Sequence, residues 1–169
     1  LHDVVFAGFQ QVDVVPAYYG LASCLVLPSL SETWGLVVNE AMAAGLPVLV
    51  SDWDGLRDTV TADVGLRVAT RTLGAAHAEQ ESFRHLIGVD TYLQYCGQAS
   101  AMTEIDMVAL TGAIQMLALN PDLRARMGAA GARRARSVYD WSQVIPQMQD
   151  LWQELSVRRT AALNCVIRP

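Results

Sequence analysis

Two glutamates, Glu32 and Glu40, stand eight positions apart in the most informative stretch of this chain. The first lies in a predicted loop after an apolar run, and the second lies in a predicted helix that begins just after Gly35 and ends at Gly45. The start of a helix directs backbone N–H groups and the positive end of the helix dipole at a ligand, which suits a phosphate. Ionised carboxylates make strong hydrogen bonds to hydroxyl groups. A phosphate and a polyol bound side by side describe a nucleotide sugar.

The residues around the two glutamates form a longer pattern. Segment 32–48 reads Glu32-x7-Glu40 with Gly35 inside it, and continues as Ala41-Met42-Ala43-x-Gly45-x-Pro47-Val48. This pattern resembles the donor-site motif of the family-4 retaining glycosyltransferases, whose fold is called GT-B. The resemblance extends from about residue 4 to about residue 155. It implies that the chain is the C-terminal, donor-binding domain of such an enzyme.

The resemblance also implies roles for individual residues. Glu32 is the candidate catalytic residue, which contacts the transferred sugar or shapes its pocket. The backbone amides of residues 34–37 would face the sugar and the β-phosphate, and the carboxylate at position 40 would hold the ribose hydroxyls. The segment 8–12 would border the nucleobase. The donor-binding residues implied in this way are Glu40, Trp34, Gly35, Leu36, Val37 and Gly8.

Other interpretations of the same residues stay open. The apolar neighbours of Glu40 predict a largely buried helix, in which a carboxylate needs a partner, and a salt bridge to an arginine is the alternative to ribose binding. Glu32 could be an ordinary solvated loop residue. Asp54 is a candidate donor contact, with a turn or cap residue as the preferred interpretation. Arg57 is the nearby basic residue that could neutralise a diphosphate.

Composition excludes several classes of function. The 169 residues carry a net charge of −5, which disfavours general nucleic-acid binding. All twelve basic residues are arginine, so mechanisms that need a lysine are excluded. The three cysteines and three histidines show no metal-ligand spacing, and we expect neither a metal nor another cofactor.

Alternating strand and helix patterns predict an α/β fold, a Rossmann-like parallel sheet with flanking helices and a helical C-terminal segment. The predicted strands cover residues 4–7, 24–27, 46–51 and 64–68, and the predicted helices between them cover 13–21, 36–44 and 56–60. The first strand, Val4–Ala7, is expected to be buried and to end at Gly8. In such sheets ligands bind at the carboxyl ends of the strands, where both glutamates fall.

The chain divides into a donor-binding core over residues 1–68 and C-terminal helices of the same domain over 103–158, followed by a tail over 159–169. Residues 69–102 are interpreted as a surface excursion with one or two helices, with an insertion over the cleft as the alternative. Thr103 is predicted to cap a helix that ends near Leu119. Asp140-Trp141-Ser142 is predicted to start a final helix to about Leu155, with Trp141 and Trp152 in core or interdomain packing.

By the resemblance, the full-length protein transfers a hexose-like sugar from a nucleoside diphosphate sugar to an acceptor sugar or lipid, with retention of configuration. The chain begins almost inside a predicted strand and without methionine, so we expect it to be part of a longer protein. The acceptor would bind to a missing N-terminal domain, and the 169-residue chain alone is expected to be inactive. The alternative is a non-catalytic nucleotide-sugar-binding domain. A nucleotide-sugar epimerase is a weaker alternative, because the two-glutamate motif speaks against it.

The expected location is the cytoplasm, and the resemblance implies a part in polysaccharide or glycolipid biosynthesis. The arginine cluster within 124–136 is interpreted as a solvated helix face, with contact to an anionic membrane at its inner face as the alternative. One face of the final helix is expected to be exposed, which would favour self-association.

Overall fold

A three-stranded parallel sheet forms the centre of the structure, a computed structural model that describes residues 3–166 without the side chains at positions 75 and 163–166. The strands lie in the order β1 (Leu25–Leu27), β2 (Val48–Ser51), β3 (Gly65–Val68). Leu25 pairs with Val48, and Val48 pairs with Gly65. Helix α1 (Val15–Leu21) precedes the sheet, while α2 (Leu36–Ala43) and α3 (Leu56–Thr59) connect its strands. The predicted α/β fold is confirmed.

The middle strand, β2, is buried on both of its faces. Val48 and Val50 pack into a core that includes Val38 and Met42 of α2, whereas Leu49 points to a second core with Leu110 and Leu117. Successive side chains of a strand point to opposite faces, so a strand between two helical layers must be apolar at every position. Residues 46–50 satisfy that requirement and are all buried, and the buried Ser51 that ends the strand donates its hydroxyl to the carbonyl of Ser29.

The first predicted strand, Val4–Ala7, is not formed. Residues 4–9 adopt no regular structure, and the side chains of Val5, Phe6 and Phe9 are almost fully exposed. A strand needs a neighbour for its backbone hydrogen bonds, and no strand within residues 3–166 pairs with this segment. Its apolar composition therefore predicted burial that the described chain does not provide.

Residues 69–102 leave the sheet and return beside their starting point. Strands β4 (Thr70–Thr72) and β5 (Thr103–Ile105) pair antiparallel at the base of this excursion. Between them lie a 3₁₀ turn (Ala75–Ala78) and helices α4 (Glu79–Leu86) and α5 (Tyr92–Ser100). The excursion is thus rooted on a two-stranded ribbon.

Thr103 does not cap a helix, contrary to prediction, because it lies in β5 and pairs with Thr72. The cap of the next helix is Asp106, whose Oδ1 accepts hydrogen bonds from the N–H groups of Val108 and Ala109 at 3.0 and 2.9 Å. Asp106 stands three positions after Thr103 and was not predicted as the cap. Because the ribbon with β4 holds Thr103 in a strand, the helix begins at the later residue.

Three long helices complete the chain. They are α6 (Met107–Leu119), α7 (Pro121–Arg134) and α8 (Trp141–Val166), with a π-helical turn (Ala135–Tyr139) before the last. Helix α8 continues past its predicted end near Leu155, because residues 156–166 contain neither glycine nor proline to stop it. Its Trp141 and Trp152 are 70% and 60% exposed, so they do not pack in the core of the described chain, and the alternative of interdomain packing stays a prediction. None of the helices within 3–166 combines the length and apolar character needed to cross a membrane.

We predict opposite effects for the same substitution at two helical glycines. A Cβ on Gly128 in α7 would lie 1.9 Å from the carbonyl oxygen of Gly45, so Gly128→Ala must push α7 away from the end of α2. We expect it to lower the free energy of unfolding by about 1–3 kcal/mol. Gly112 in α6 has open space around its Cβ position, and Gly112→Ala should raise that free energy by about 0.5–1 kcal/mol. Urea unfolding of both variants measures the difference, and equal effects would contradict the observed packing of α7 on α2.

Candidate functional site

The loops after β1 and β2 are hydrogen-bonded to each other at the carboxyl edge of the sheet. The N–H of Gly55 donates to the carbonyl of Glu32 at 3.1 Å, and the N–H of Glu32 donates to Oδ2 of Asp54 at 3.3 Å. The hydroxyl of Thr59 donates to the carbonyl of Trp34 at 3.0 Å. A Cβ on Gly55 would lie 1.9 Å from the carbonyl oxygen of Thr33, so only glycine permits this approach. The parallel pairing of the strands therefore holds Glu32 in one fixed loop.

Helix α2 begins at a left-handed glycine. Gly35 has a φ of +74°, and a Cβ there would lie 2.8 Å from Cδ2 of Leu56. The Glu32 carboxylate folds back over this helix start, and its Oε1 accepts a hydrogen bond from the Gly35 N–H at 3.0 Å. Within residues 3–166, the N–H groups of Leu36 and Val37 have no protein acceptor. These two amides are free to bind an anion.

Glu40 borders a cleft of about 510 Å³ between α1 and α2. The hydroxyl of Tyr19 donates a hydrogen bond of 3.0 Å to Oε2 of Glu40. Glu40 makes no salt bridge to an arginine within the described residues, so the alternative interpretation of this carboxylate is not supported. The cleft is lined by Val12, Val15, Pro16, Tyr19, Val37, Glu40, Ala43 and Ala44.

The prediction that Glu40 lies in a largely buried helix is wrong. The side of α2 that packs on the sheet carries Val38, Ala41 and Met42, whereas Glu40 is exposed and Leu36 is 70% exposed. The buried and the exposed positions of α2 both carry apolar residues, so composition alone did not distinguish the two faces of the helix. The exposed carboxylate needs no buried partner, and one of its two oxygens accepts no hydrogen bond from the described chain.

Tyr19 has a role that the sequence did not indicate. Its half-buried ring packs against the core. Its hydroxyl, however, reaches Glu40 across 21 positions of sequence. Burial, followed by the hydrogen bond to Glu40 and the repulsion from its charge, raises the pKa of Tyr19 to about 12. Tyr19 therefore stays a neutral donor that orients the Glu40 carboxylate at neutral pH.

The remaining predicted residues lie around these two points. Trp34 is 46% exposed and makes an edge-to-face contact with Tyr139, with ring centroids 5.5 Å apart. Gly8 is exposed, with a φ of +68°, and does not line the Glu40 cleft. Val12, at the other end of the same loop, does line it. The structure thus brings Val37 and Glu40 together with Val12 and leaves Gly8, like Trp34, Gly35 and Leu36, outside the lining of this cleft.

Asp54 and Arg57 lie in the turn after β2. Asp54 has a φ of +51° and accepts the Glu32 N–H, as the turn interpretation predicts. The Nε of Arg57 donates to the carbonyl of Asp52 at 2.9 Å and lies 3.4 Å from its carboxylate, which Arg67 approaches at 3.5 Å. No group of three or more His, Cys, Asp or Glu within residues 3–166 could hold a metal ion.

Comparison with known proteins decides the family. Residues 1–87, just over half of the chain, match the family model described as glycosyl transferases group 1. The chain belongs to this family. Its fold is of the GT-B type, since it superposes with a TM-score of 0.64 and 28% identity on sucrose-phosphate synthase from Thermosynechococcus elongatus, over 93% of this chain and 31% of that one.

Two curated relatives show how much of a glycosyl transferase the chain represents. It is 33% identical over 135 residues to D-inositol 3-phosphate glycosyltransferase of Streptomyces coelicolor, which is 80% of this chain and 22% of that protein. It is 44% identical over 63 residues to an uncharacterized glycosyltransferase of Methanocaldococcus jannaschii, 37% of this chain and 16% of that protein. The chain therefore spans about a fifth of the length of these relatives.

Two arginines of the C-terminal helices stabilise this glycosyl transferase domain. The guanidinium of Arg134 donates to the carbonyls of Thr59 and Asp58, each at 3.2 Å, and to the Tyr139 hydroxyl at 3.0 Å. Arg124 donates to carbonyls at the end of α6. These two side chains are half-buried, so the solvated-face interpretation holds only for the exposed members of the cluster, Arg126, Arg133 and Arg136.

We predict that the pKa of the Tyr19 phenol depends on the charge of Glu40. Its pKa of about 12, against 10.0 for an ordinary tyrosine, means that the folded domain holds this proton more tightly than the unfolded chain. The corresponding stabilisation is present below pH 10 and is lost as the pH rises through about 12. Glu40→Gln should lower the pKa of Tyr19 but leave it above 10, because burial, the largest cause, remains.

Tyrosinate absorbance, recorded as the difference between the wild type and Tyr19→Phe, measures this pKa. Circular dichroism at each pH checks that the domain is still folded. An unchanged midpoint in Glu40→Gln would contradict the contact between the two side chains.

Proposed function

We propose that the chain is the donor-binding domain of a family-4 retaining glycosyltransferase that uses a nucleoside diphosphate sugar. The observation that carries the proposal is the arrangement along α2. The free amides of Leu36 and Val37 lie at the start of the helix, and Glu40 follows one turn later on the same face as Leu36. One helical turn advances about 5.4 Å, so a phosphate at the amides and a ribose at Glu40 would be direct neighbours.

The nucleotide would then lie along α2 in a defined direction. The diphosphate accepts hydrogen bonds from Leu36 and Val37, and the ribose hydroxyls donate to the free oxygen of Glu40, whose other oxygen Tyr19 holds. The base extends toward Val12 and Pro16 in the same cleft. Backbone and apolar groups dominate that end of the cleft. The side chains there consequently do not indicate which base is bound.

The transferred sugar would lie beside Glu32, which precedes the start of α2, whereas the ribose would lie further along the helix at Glu40. One oxygen of this carboxylate is engaged by the Gly35 N–H, which leaves the second to accept a hydrogen bond from a sugar hydroxyl. We infer a reaction on one face of the sugar, in which the leaving phosphate takes the proton from the acceptor hydroxyl. The domain would contribute orientation and hydrogen bonds to the departing phosphate rather than a nucleophile.

A second candidate is a domain that binds a nucleotide sugar without catalysis. It is favoured by the state of Arg57, whose guanidinium is already engaged by Asp52 and stacks over Trp53 at 5.8 Å. A diphosphate leaving group needs positive charge, and Arg57 is therefore a poor source of it. The transferase proposal consequently requires that another part of the full protein supplies basic residues and an acceptor site, and that the 169-residue chain binds donor without turnover.

Calorimetric titration with UDP, GDP and ADP tests the proposal. We expect the 169-residue chain to bind one of them, and Glu40→Gln to weaken that binding by about 10- to 100-fold, because a charged hydrogen bond contributes about 1.5–3 kcal/mol. Asn39→Ala, one position away on α2, is the matched control and should bind as the wild type does. Binding that is equal in Glu40→Gln and the wild type, or no binding of any nucleotide by either the chain or the full-length protein, would refute the donor-site assignment.

The phosphate position can be tested separately. Gly35→Ala places a Cβ against Leu56 at a backbone conformation that only glycine adopts readily, and should displace the amides of Leu36 and Val37. We expect it to weaken the binding of the nucleoside diphosphate by about tenfold or more, because about one charged hydrogen bond is lost. The corresponding nucleoside, which lacks phosphates, should bind equally to both proteins. A nucleoside that loses as much affinity as its diphosphate would place the phosphates elsewhere.

A further inference from the structure

A second cleft, of about 370 Å³, lies between helix α5 of the excursion and the loops after β1 and β2. This volume is within the range of about 300–1,000 Å³ that ligand sites occupy. Its two walls come from distant parts of the sequence, and α5 lies outside the residues that match the family model. The cleft is lined by Leu30, Ser31, Trp53, Asp54, Arg57, Tyr95, Cys96, Ala99 and Ser100.

We propose that this cleft, here called the α5 cleft, binds one pyranose ring of the substrate. A pyranose presents C–H groups on its faces and hydroxyls around its rim. The α5 cleft offers two aromatic side chains, Trp53 and Tyr95, on opposite walls, and the negative faces of aromatic rings attract polarised C–H groups. Asp54 and Arg57 line the same cleft, and each is only partly engaged within the described chain: Asp54 accepts the Glu32 N–H through Oδ2, and Asp52 holds Arg57 through Nε. The other Asp54 oxygen and the terminal N–H groups of Arg57 suit hydroxyl groups as charge-assisted partners.

The position of the α5 cleft places such a ring beside the proposed transfer site. Ser31 lines it and is adjacent in sequence to Glu32, while Asp54 accepts the Glu32 N–H at 3.3 Å. A sugar in this cleft would therefore contact the loop that carries the carboxylate assigned to the transferred sugar. This part of the inference depends on the proposed function, whereas the binding of a pyranose ring does not.

Specific side-chain contacts hold the excursion that carries α5 in place. Arg84 makes two hydrogen bonds, of 2.8 and 2.9 Å, to the buried Asp90 carboxylate between α4 and α5. The ring of His85 stacks on Tyr95 with centroids 5.2 Å apart, which fixes the aromatic wall. Thr70 at the base of the ribbon donates its hydroxyl to the carbonyl of Asp52 at 3.0 Å. The wall is thus tied to the same turn that supplies Trp53 and Asp54.

Saturation-transfer difference NMR on the 169-residue chain tests the α5 cleft, with the methyl α-pyranosides of glucose, mannose and galactose as probes. We expect transfer to the ring protons of at least one probe and its loss in Tyr95→Ala. Tyr95→Phe keeps the ring and should keep the signal. Leu93→Ala is the matched control, because Leu93 is 83% exposed on the opposite side of α5.

Trp53→Ala tests the second wall independently, so that a folding defect of Tyr95→Ala cannot decide the matter alone. Absence of transfer to all three probes, or equal transfer in the wild type and Trp53→Ala, would overturn the proposal. Loss of the signal in Glu40→Gln would also overturn it, because the probe would then occupy the nucleotide cleft.

Two further titrations identify the source of the ring. If Tyr95→Ala weakens the binding of UDP-glucose, GDP-mannose or ADP-glucose but not the binding of the parent diphosphate, the ring is the donor's sugar. If Tyr95→Ala loses the pyranoside signal and leaves the nucleotide sugar unaffected, the ring belongs to the acceptor. Failure of the proposed function is separate from either result, since it would appear as a wild-type chain that binds pyranosides but no nucleotide.

Discussion

The burial of β2 on both faces is the constraint on which the rest of the structure depends. Because Val48 and Val50 pack on one core and Leu49 on the other, the strand can pair only as the centre of a sheet between helical layers. Parallel pairing with β1 and β3 then brings the loops after β1 and β2 to one edge. The close approach of Gly55 to the Thr33 carbonyl and the left-handed turn at Gly35 follow from that meeting. Close backbone contacts therefore set the position of the loop that carries Glu32 and of the start of α2.

In the proposed site, backbone amides would bind the phosphate and a side chain would bind the hydroxyl groups. An amide pair at the start of α2 can bind a phosphate without a charged side chain, and this is consistent with a chain that contains no lysine. Glu40 is kept in place by a neutral tyrosine, so its negative charge is available to hydroxyl groups and is not neutralised by an arginine. The arginines next to the site serve the fold instead, because Arg57 and Arg67 share Asp52 and Arg134 joins α7 to the end of α3. Under the proposed function such a domain would bind and orient a donor, and positive charge for the leaving group would come from another part of the protein.

The excursion between β4 and β5 adds something that the sheet does not require. The sheet already has its helical layers without α4 and α5, whose described side chains belong to neither core. The salt bridge between Arg84 and Asp90 and the stack of His85 on Tyr95 nevertheless hold this hairpin in a defined shape. Binding residues are often concentrated on connecting segments that a rigid scaffold positions. The mixed aromatic and charged lining of the α5 cleft fits such a role for the hairpin.

The sequence by itself determined the order of strands and helices over residues 13–68, the glycines at the turns of α2, and the two-glutamate motif, because these depend on local periodicity and on backbone conformations that few residues adopt. It missed the strands β4 and β5, whose pairing joins residues 31 or more positions apart. It predicted a strand at Val4–Ala7 from apolar composition, yet a strand exists only where a neighbour accepts its hydrogen bonds. It placed the helix cap at Thr103 and not at Asp106, because the pairing of Thr103 with Thr72 spans 31 positions. The contact of Tyr19 with Glu40 and the meeting of Tyr95 with Trp53 in one cleft were decided only by the tertiary structure. Both join residues that are far apart in sequence, and no local pattern encodes such a distance.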